Sequence, residues 1–182
     1  MRIIAGAWRG RALGAPPGHA TRPTADRVRQ ALFDMLLHAP WGGRNLIEGV
    51  HVLDAFAGTG ALGLEALSRG AAHATFMETD RAALAALRSN VAACKAADRA
   101  TLLVADATRP QAASVGCGLV FLDPPYGQDF VPRALAALRA AGWIAPAALV
   151  VSETGAEEEL PGCITPLADR THGAARVTVW RA

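Results

Sequence analysis

Cysteine is scarce in this chain. Cys94, Cys117 and Cys163 are the whole supply in 182 residues, odd in number, far apart and without a C-x-x-C pair. That argues against a disulfide framework and against a cysteine-built zinc site. The five histidines, at positions 19, 38, 51, 73 and 172, show neither an i,i+4 pair nor H-E-x-x-H, so no metal is expected. No apolar stretch approaches the roughly 20 residues that a membrane-spanning helix needs. The opening string MRIIAGAWRGRAL interleaves arginine with its apolar residues and lacks the unbroken core of a signal peptide. A cytoplasmic protein without a membrane partner is therefore expected. Internal repeats and low-complexity linkers are missing too, and Lys95 is the single lysine.

What remains is the balance of a folded globular protein, 52% hydrophobic and 19% charged, long enough for one well-buried domain with a small appendage. The net charge of +2 is unevenly placed. Residues 1–44 carry seven arginines against Asp26 and Asp34, a net +5, whereas the other 138 residues carry −3. A basic segment on a mildly acidic body suggests a localised anionic partner such as RNA or DNA, although arginines on a solvated surface would give the same count. The expected division is a basic extension over 1–44 and a body over 45–182.

Residues 1–14 read as a small hairpin around GAWRG, followed by the loop PPGHATRP. Thr24 or Asp26 can cap a helix running to about Leu37, with Val28, Leu32, Met35 and Leu36 on its apolar face and Arg27 and Arg29 off it. From His51 strands and helices alternate. Strands are predicted over 52–56, 73–78, 100–106, 119–123 and 148–153, and helices over 60–70, 81–97 and 130–143. This order implies an α/β fold, a parallel sheet with helices on both faces. The closing strings CITPLADR and ARVTVWRA form a hairpin around THGA and add an antiparallel strand at one edge.

DAFAGTGALGLEAL (54–67) follows a strand and opens a helix. Its glycines at 58, 60 and 63 spell G-x-G-x-x-G, and Glu78 ends the next strand 20 residues after Gly58. That frame fits a nucleotide-type cofactor with the acid on ribose hydroxyls. Asp54, just before the turn, would repel a pyrophosphate but can pair with the ammonium of S-adenosylmethionine. Asp106 ends the third strand where it can accept from an adenine amino group; a strand-end cap explains it equally well. Asp54, Glu78, Asp106 and Asp123 end four successive predicted strands, the side on which such sheets bind ligands. The candidate cofactor set is Asp54, Phe56, Ala57, Gly58, Thr59, Gly60, Glu78, Thr79, Asp106 and Ala107.

LVFLDPPYG (119–127) runs a buried strand into Asp123 and then stiffens the backbone with two prolines. DAFAGTG with a downstream DPPY resembles the methyltransferases that act on exocyclic nitrogens of nucleobases. RIIAGAWRGRAL, RPTADRVRQALF and LDAFAGTGALGLEALSRGA together resemble, nearly end to end, the bacterial small-subunit (16S) ribosomal RNA guanine-N2 methyltransferase family. Tyr126 stands where many members of that family carry phenylalanine. The resemblance implies a Rossmann-like S-adenosylmethionine-dependent methyltransferase fold with a mostly parallel seven-stranded sheet. It also implies S-adenosylmethionine as cofactor, ribosomal RNA or the small-subunit ribonucleoprotein as partner, and a monomer.

In that reading Asp123, Pro124, Pro125 and Tyr126 form the catalytic turn. The Asp123 carboxylate and the Pro124 carbonyl accept the two hydrogens of a poorly nucleophilic amine and aim it, while Tyr126 stacks on an extruded base. Arg9, Arg11, Arg22, Arg27 and Arg29 are the candidate RNA contacts. DPPY alone does not separate guanine N2 from adenine N6, so a DNA adenine-N6 methylase is an alternative, although 182 residues leave little room for a separate target-recognition domain. From other classes, an NAD-dependent oxidoreductase uses the glycines and Glu78 but leaves DPPY idle, and a non-catalytic RNA-binding module needs no acids at strand ends.

Overall fold

The computed structural model describes residues 1–16, 23–158 and 164–182. Seven strands form one sheet: β1 (His51–Asp54), β2 (His73–Glu78), β3 (Ala100–Val104), β4 (Cys117–Leu122), β5 (Ile144–Gly155), β6 (Ala168–His172) and β7 (Ala175–Arg181). Among the described residues four α-helices accompany them: α1 (Pro23–His38), α2 (Ala61–Ser68), α3 (Arg81–Ala93) and α4 (Phe130–Ala140). The spatial order is β3-β2-β1-β4-β5-β7-β6. β1 pairs parallel with both β2 and β4, β2 with β3, and β4 with β5. The chain thus winds outward from β1 and returns to lay β4 against it. The crevice beyond the carboxyl ends of β1 and β4 is the point where the order reverses, the place where open α/β sheets bind ligands.

Strand residues alternate between the two faces, as a pleat requires. Val52, Phe76, Phe121 and Val151 join one core with Phe33, Leu36, Leu64, Leu67 and Leu87 from α1, α2 and α3. Their neighbours Leu53, Met77, Val120 and Val150 join the other, with Leu135 and Leu138 of α4 and the rings of Trp143 and Trp180. The predicted strands and helices are all present, with shifted ends. β1 stops at Asp54, so Phe56 lies in the turn, and β5 extends to Ile144–Gly155. α1 starts at Pro23, a residue suited to a first helical turn, so Asp26 lies inside that turn. The closing hairpin is present and forms the antiparallel edge of the sheet. β7 pairs antiparallel with both β5 and β6, which leaves β6 on the edge.

The basic N-terminal segment makes a hairpin-like turn held by Ile3 N–H to Arg11 O at 2.9 Å and Gly10 N–H to Ile3 O at 2.8 Å. Its bridge, Arg2 with Ala12, is a single pair and no full strand forms. Ile3, Leu13 and Phe33 sit in the same core as β1 and β4, so residues 1–44 share the hydrophobic interior of the body.

Two polar side chains fasten that segment to the sheet domain. Glu65 of α2 is fully buried; it accepts Ile4 N–H at 2.8 Å, Ala5 N–H at 3.0 Å and Arg69 Nε at 2.8 Å. Arg29 Nε lies 3.9 Å from its other side. Asn90 of α3 exchanges two bonds with Gly14 and donates to Thr59 O at 2.9 Å, tying the segment to the glycine turn. Replacing Glu65 by alanine leaves Arg69 and two backbone donors without their acceptor and removes the carboxylate nearest Arg29 Nε. A loss of about 3–5 kcal/mol is expected, the scale for breaking a buried ion pair from one side. Urea unfolding measures it, and a loss below about 1 kcal/mol would mean that apolar contacts alone hold the segment.

Candidate active site

Acids end five parallel strands on one side of the sheet: Asp54, Glu78 and Glu153 inside or at the end of their strands, Asp106 and Asp123 just after theirs. Glu78 is engaged with the glycine turn. Its Oε2 accepts Gly58 N–H at 2.8 Å, and its Oε1 accepts the N–H groups of Thr79 and Asp80, each at 2.7 Å. Asp54 is 1% exposed and accepts Gly63 N–H at 2.9 Å. It therefore serves α2 as a remote N-cap, because Gly60 at the helix start has no side chain to do so. Gly60 holds φ +80°, and a Cβ at Gly63 would lie 2.4 Å from the Phe76 ring, so this glycine allows α2 to close on β2. Asp106 Oδ1 accepts the Thr108 N–H and hydroxyl, and these bonds hold its carboxyl below the usual range.

Two cavities open among these strand ends. The larger, about 780 Å³, takes in Phe56, Gly58, Thr59, Glu78, Thr79, Asp106, Ala107, Asp123, Pro124 and Pro125. The smaller, about 560 Å³, lies toward α1 and β7 and is lined by Val28, Leu32, Leu62, Val151, Val177, Tyr126 and Glu153 among others. Asp123, Phe56, Gly58 and Thr59 line both. The candidate cofactor set is thereby sorted. Asp54 and Ala57 face the smaller cavity only, and Gly60 lines neither. Burial and the bond to Gly63 put Asp54 in a capping role; the expectation for it is pairing with a cofactor ammonium, directly or through water.

Asp123 lies on the floor of this cleft. Loss of surrounding water raises its pKa first, and the charges of Glu153 and Asp54 add to the rise. Solvent still reaches the side chain, which moderates the shift relative to a sealed site. Burial raises Asp54 to about 7, against the lowering effect of the Gly63 bond, with the Glu78 charge contributing.

The proline turn is strapped to the end of β5. Tyr126 OH donates to Glu153 Oε1 at 2.5 Å, and Glu158 Oε1 accepts Gly127 N–H at 2.7 Å and Gly155 N–H at 3.1 Å. Partial burial, then the bond and charge of Glu153, push the Tyr126 phenol up and keep it a donor. Neither Glu153 nor Glu158 was among the candidate residues. Glu153 carries the same signal as the other four, an acid at the end of a predicted strand (148–153), whereas Glu158 lies in a turn and has no such signal.

The N-terminal arginines separate. Arg9 and Arg27, with Arg2, line a third cavity of about 520 Å³ between the N-terminal turn and α1. Arg11 is exposed and its Nη1 donates to Ala93 O. Arg22 lies outside the described residues. Arg29 is a correction: only 5% exposed, it spends its Nη2 on Asp26 at 2.9 Å and on Arg2 O at 2.5 Å, so it is placed as an internal cation and not as a phosphate contact. The helix turns this position inward because Glu65 of α2 stands there to receive it.

A family model described as conserved hypothetical protein 95 matches residues 1–181. The chain is 41% identical over 167 residues to the ribosomal RNA small subunit methyltransferase D of Escherichia coli (strain K12), covering 88% of this chain and 78% of that one. The solved structure of the Escherichia coli protein yhhF superposes with a TM-score of 0.82 at 37% identity, covering 100% of this chain and 97% of the other. The rRNA methyltransferase aviRa from Streptomyces viridochromogenes shares the fold at 18% identity, with a TM-score of 0.70 over 94% and 90% of the two chains.

The raised Asp54 carboxyl sets a direction for stability. Between the ordinary carboxyl range and pH 7 the folded chain keeps a proton at Asp54 that the unfolded chain has released, so stability from this group falls as pH rises through that window. Asp54→Asn keeps an oxygen for Gly63 and cannot ionise. Without ligand, the variant is expected to be more stable than wild type at pH 8 and to lose that advantage at pH 4. Thermal melts at the two pH values measure this, and an equal offset at both would remove Asp54 as the source.

Proposed function

We propose that this chain, which belongs to the conserved hypothetical protein 95 family, that of ribosomal RNA small subunit methyltransferase D, methylates the exocyclic N2 amine of a guanine in small-subunit ribosomal RNA. The observation that carries this reading is the position of Asp123 on the wall common to two cavities; we read the larger as the site of the methyl donor and the smaller as that of the acceptor base. The donor is S-adenosylmethionine, which supplies an electrophilic methyl group on a cationic sulfonium. The residues of the larger cavity fit it. Glu78, Asp106 and Asp123 give that space a negative potential suited to a ligand bearing sulfonium and ammonium charges and hostile to a pyrophosphate. Glu78, already fixed on the amides of Gly58, Thr79 and Asp80, retains one lone pair on Oε2 for a ribose hydroxyl.

Asp123 and the Pro124 carbonyl accept the hydrogens of the acceptor amine, and the stiff turn keeps those acceptors in place. The methylated aminium is a strong acid, so the Asp123 carboxylate takes its proton without needing a shifted pKa. Tyr126 lines the acceptor cavity and offers its ring to a base swung out of the RNA. Arg2, Arg9 and Arg27 in the cleft beside α1 meet backbone phosphates, which gives the basic segment 1–44 its role. We read the enzyme as a cytoplasmic monomer acting on ribosomal RNA or its particle.

Mass mapping of ribosomal RNA from a deletion strain tests the reaction: one methyl group is expected to be missing from a guanine N2. Calorimetry tests the donor, with heat expected from S-adenosylhomocysteine and none from NADH. Asp123→Ala is expected to lower turnover at least about 10²-fold, the scale for deleting one electrostatic stabiliser, with little change in S-adenosylhomocysteine affinity. Near-normal turnover would remove Asp123 as the amine acceptor. The Arg9→Ala/Arg27→Ala variant should bind S-adenosylmethionine normally and RNA more weakly, its salt slope flattened by about 0.7–0.9 log units per lost contact. Parallel salt titrations for variant and wild type would exclude the cleft as an RNA contact.

A further inference from the structure

We infer that Glu153 reads the acceptor base, its carboxylate accepting the ring N1–H of guanine while the Tyr126 hydroxyl holds it in position. The inference rests on the guanine-N2 reading above and deepens it. Glu153 lines the smaller cavity next to Asp123, half-buried at the end of β5. Tyr126 occupies Oε1, and no hydrogen bond among the described residues occupies Oε2. Two carboxylates therefore stand side by side at the place where the base must present its amine.

Guanine alone among the common bases offers a ring N–H beside its exocyclic amine on the Watson–Crick edge, so it presents donors to both carboxylates. Adenine presents its amine beside a bare N1, whose lone pair would face the Glu153 charge. That mismatch rejects the wrong base by repulsion as well as by a missing bond. The third carboxylate near the turn, Glu158, holds the backbone of Gly127 and Gly155 and does not line this cavity, so Glu153 is the acid that faces the base.

The test uses the full-length enzyme and the RNA segment around the methylated nucleotide found by mass mapping, built with either guanine or 2-aminopurine there. The analogue keeps the N2 amine but has a bare N1. Wild type is expected to prefer guanine by about 10²-fold or more in kcat/KM. Glu153→Gln, whose amide can donate to a bare N1, is expected to shrink that preference at least about tenfold, with S-adenosylhomocysteine affinity unchanged. Tyr126→Phe keeps the ring and frees the carboxylate, and should shrink the preference by a smaller factor. A preference that Glu153→Gln leaves intact, whatever happens to the overall rate, overturns the inference while the reaction stands. A methyl group mapped anywhere other than a guanine N2 overturns the reaction itself, and the inference with it.

Discussion

The buried carboxylate of Glu65 is the constraint on which the arrangement depends. It gathers Arg29 from α1, Arg69 from the end of α2 and two backbone amides from the N-terminal turn onto one fully buried group. A charge so far from water is tolerable only when it is fully partnered. Because those partners come from three separate stretches of chain, satisfying it fixes their relative positions. Asn90 adds a second tie, from Gly14 to Thr59. The N-terminal segment and the glycine turn are thus tied to the same helix.

The strand-end acids follow from topology. Parallel strands point the same way, so residues at their carboxyl ends converge on one edge, and the reversal of order between β1 and β4 opens a crevice there. Crowding like charges in a poorly hydrated cleft raises the proton affinity of Asp54 and Asp123. The ligand-free protein bears that cost, and a cationic ligand that binds only the folded state offsets it. A site under such strain is better matched to its ligand than to stability, as functional sites commonly are.

Individual residues show how much was legible. The strands, the glycine turn and Asp123 were readable because local periodicity and turn chemistry report on neighbouring residues in the chain. Helical spacing puts Arg29 off the apolar face, whereas Asp26, the Arg2 carbonyl and the acid on α2 draw it inward. The strand-end position of Asp54 suggests a ligand, whereas its partner in the fold is the α2 amide at Gly63. Glu153 carried the strand-end signal and was passed over, since its importance comes from Tyr126, 27 residues away along the chain.

By itself, then, the sequence determined the order of elements, the edge of the sheet that would carry the chemistry and the motifs that name the reaction class. These depend on hydrophobic alternation and on backbone geometry at glycine and proline, properties that a few adjacent residues settle among themselves. Tertiary structure alone decided which acids face which cavity and which arginines are buried. Those outcomes depend on electrostatic and packing partners brought together from distant parts of the chain, and burial turns the same carboxylate into a cap, a staple or an acceptor according to what it meets.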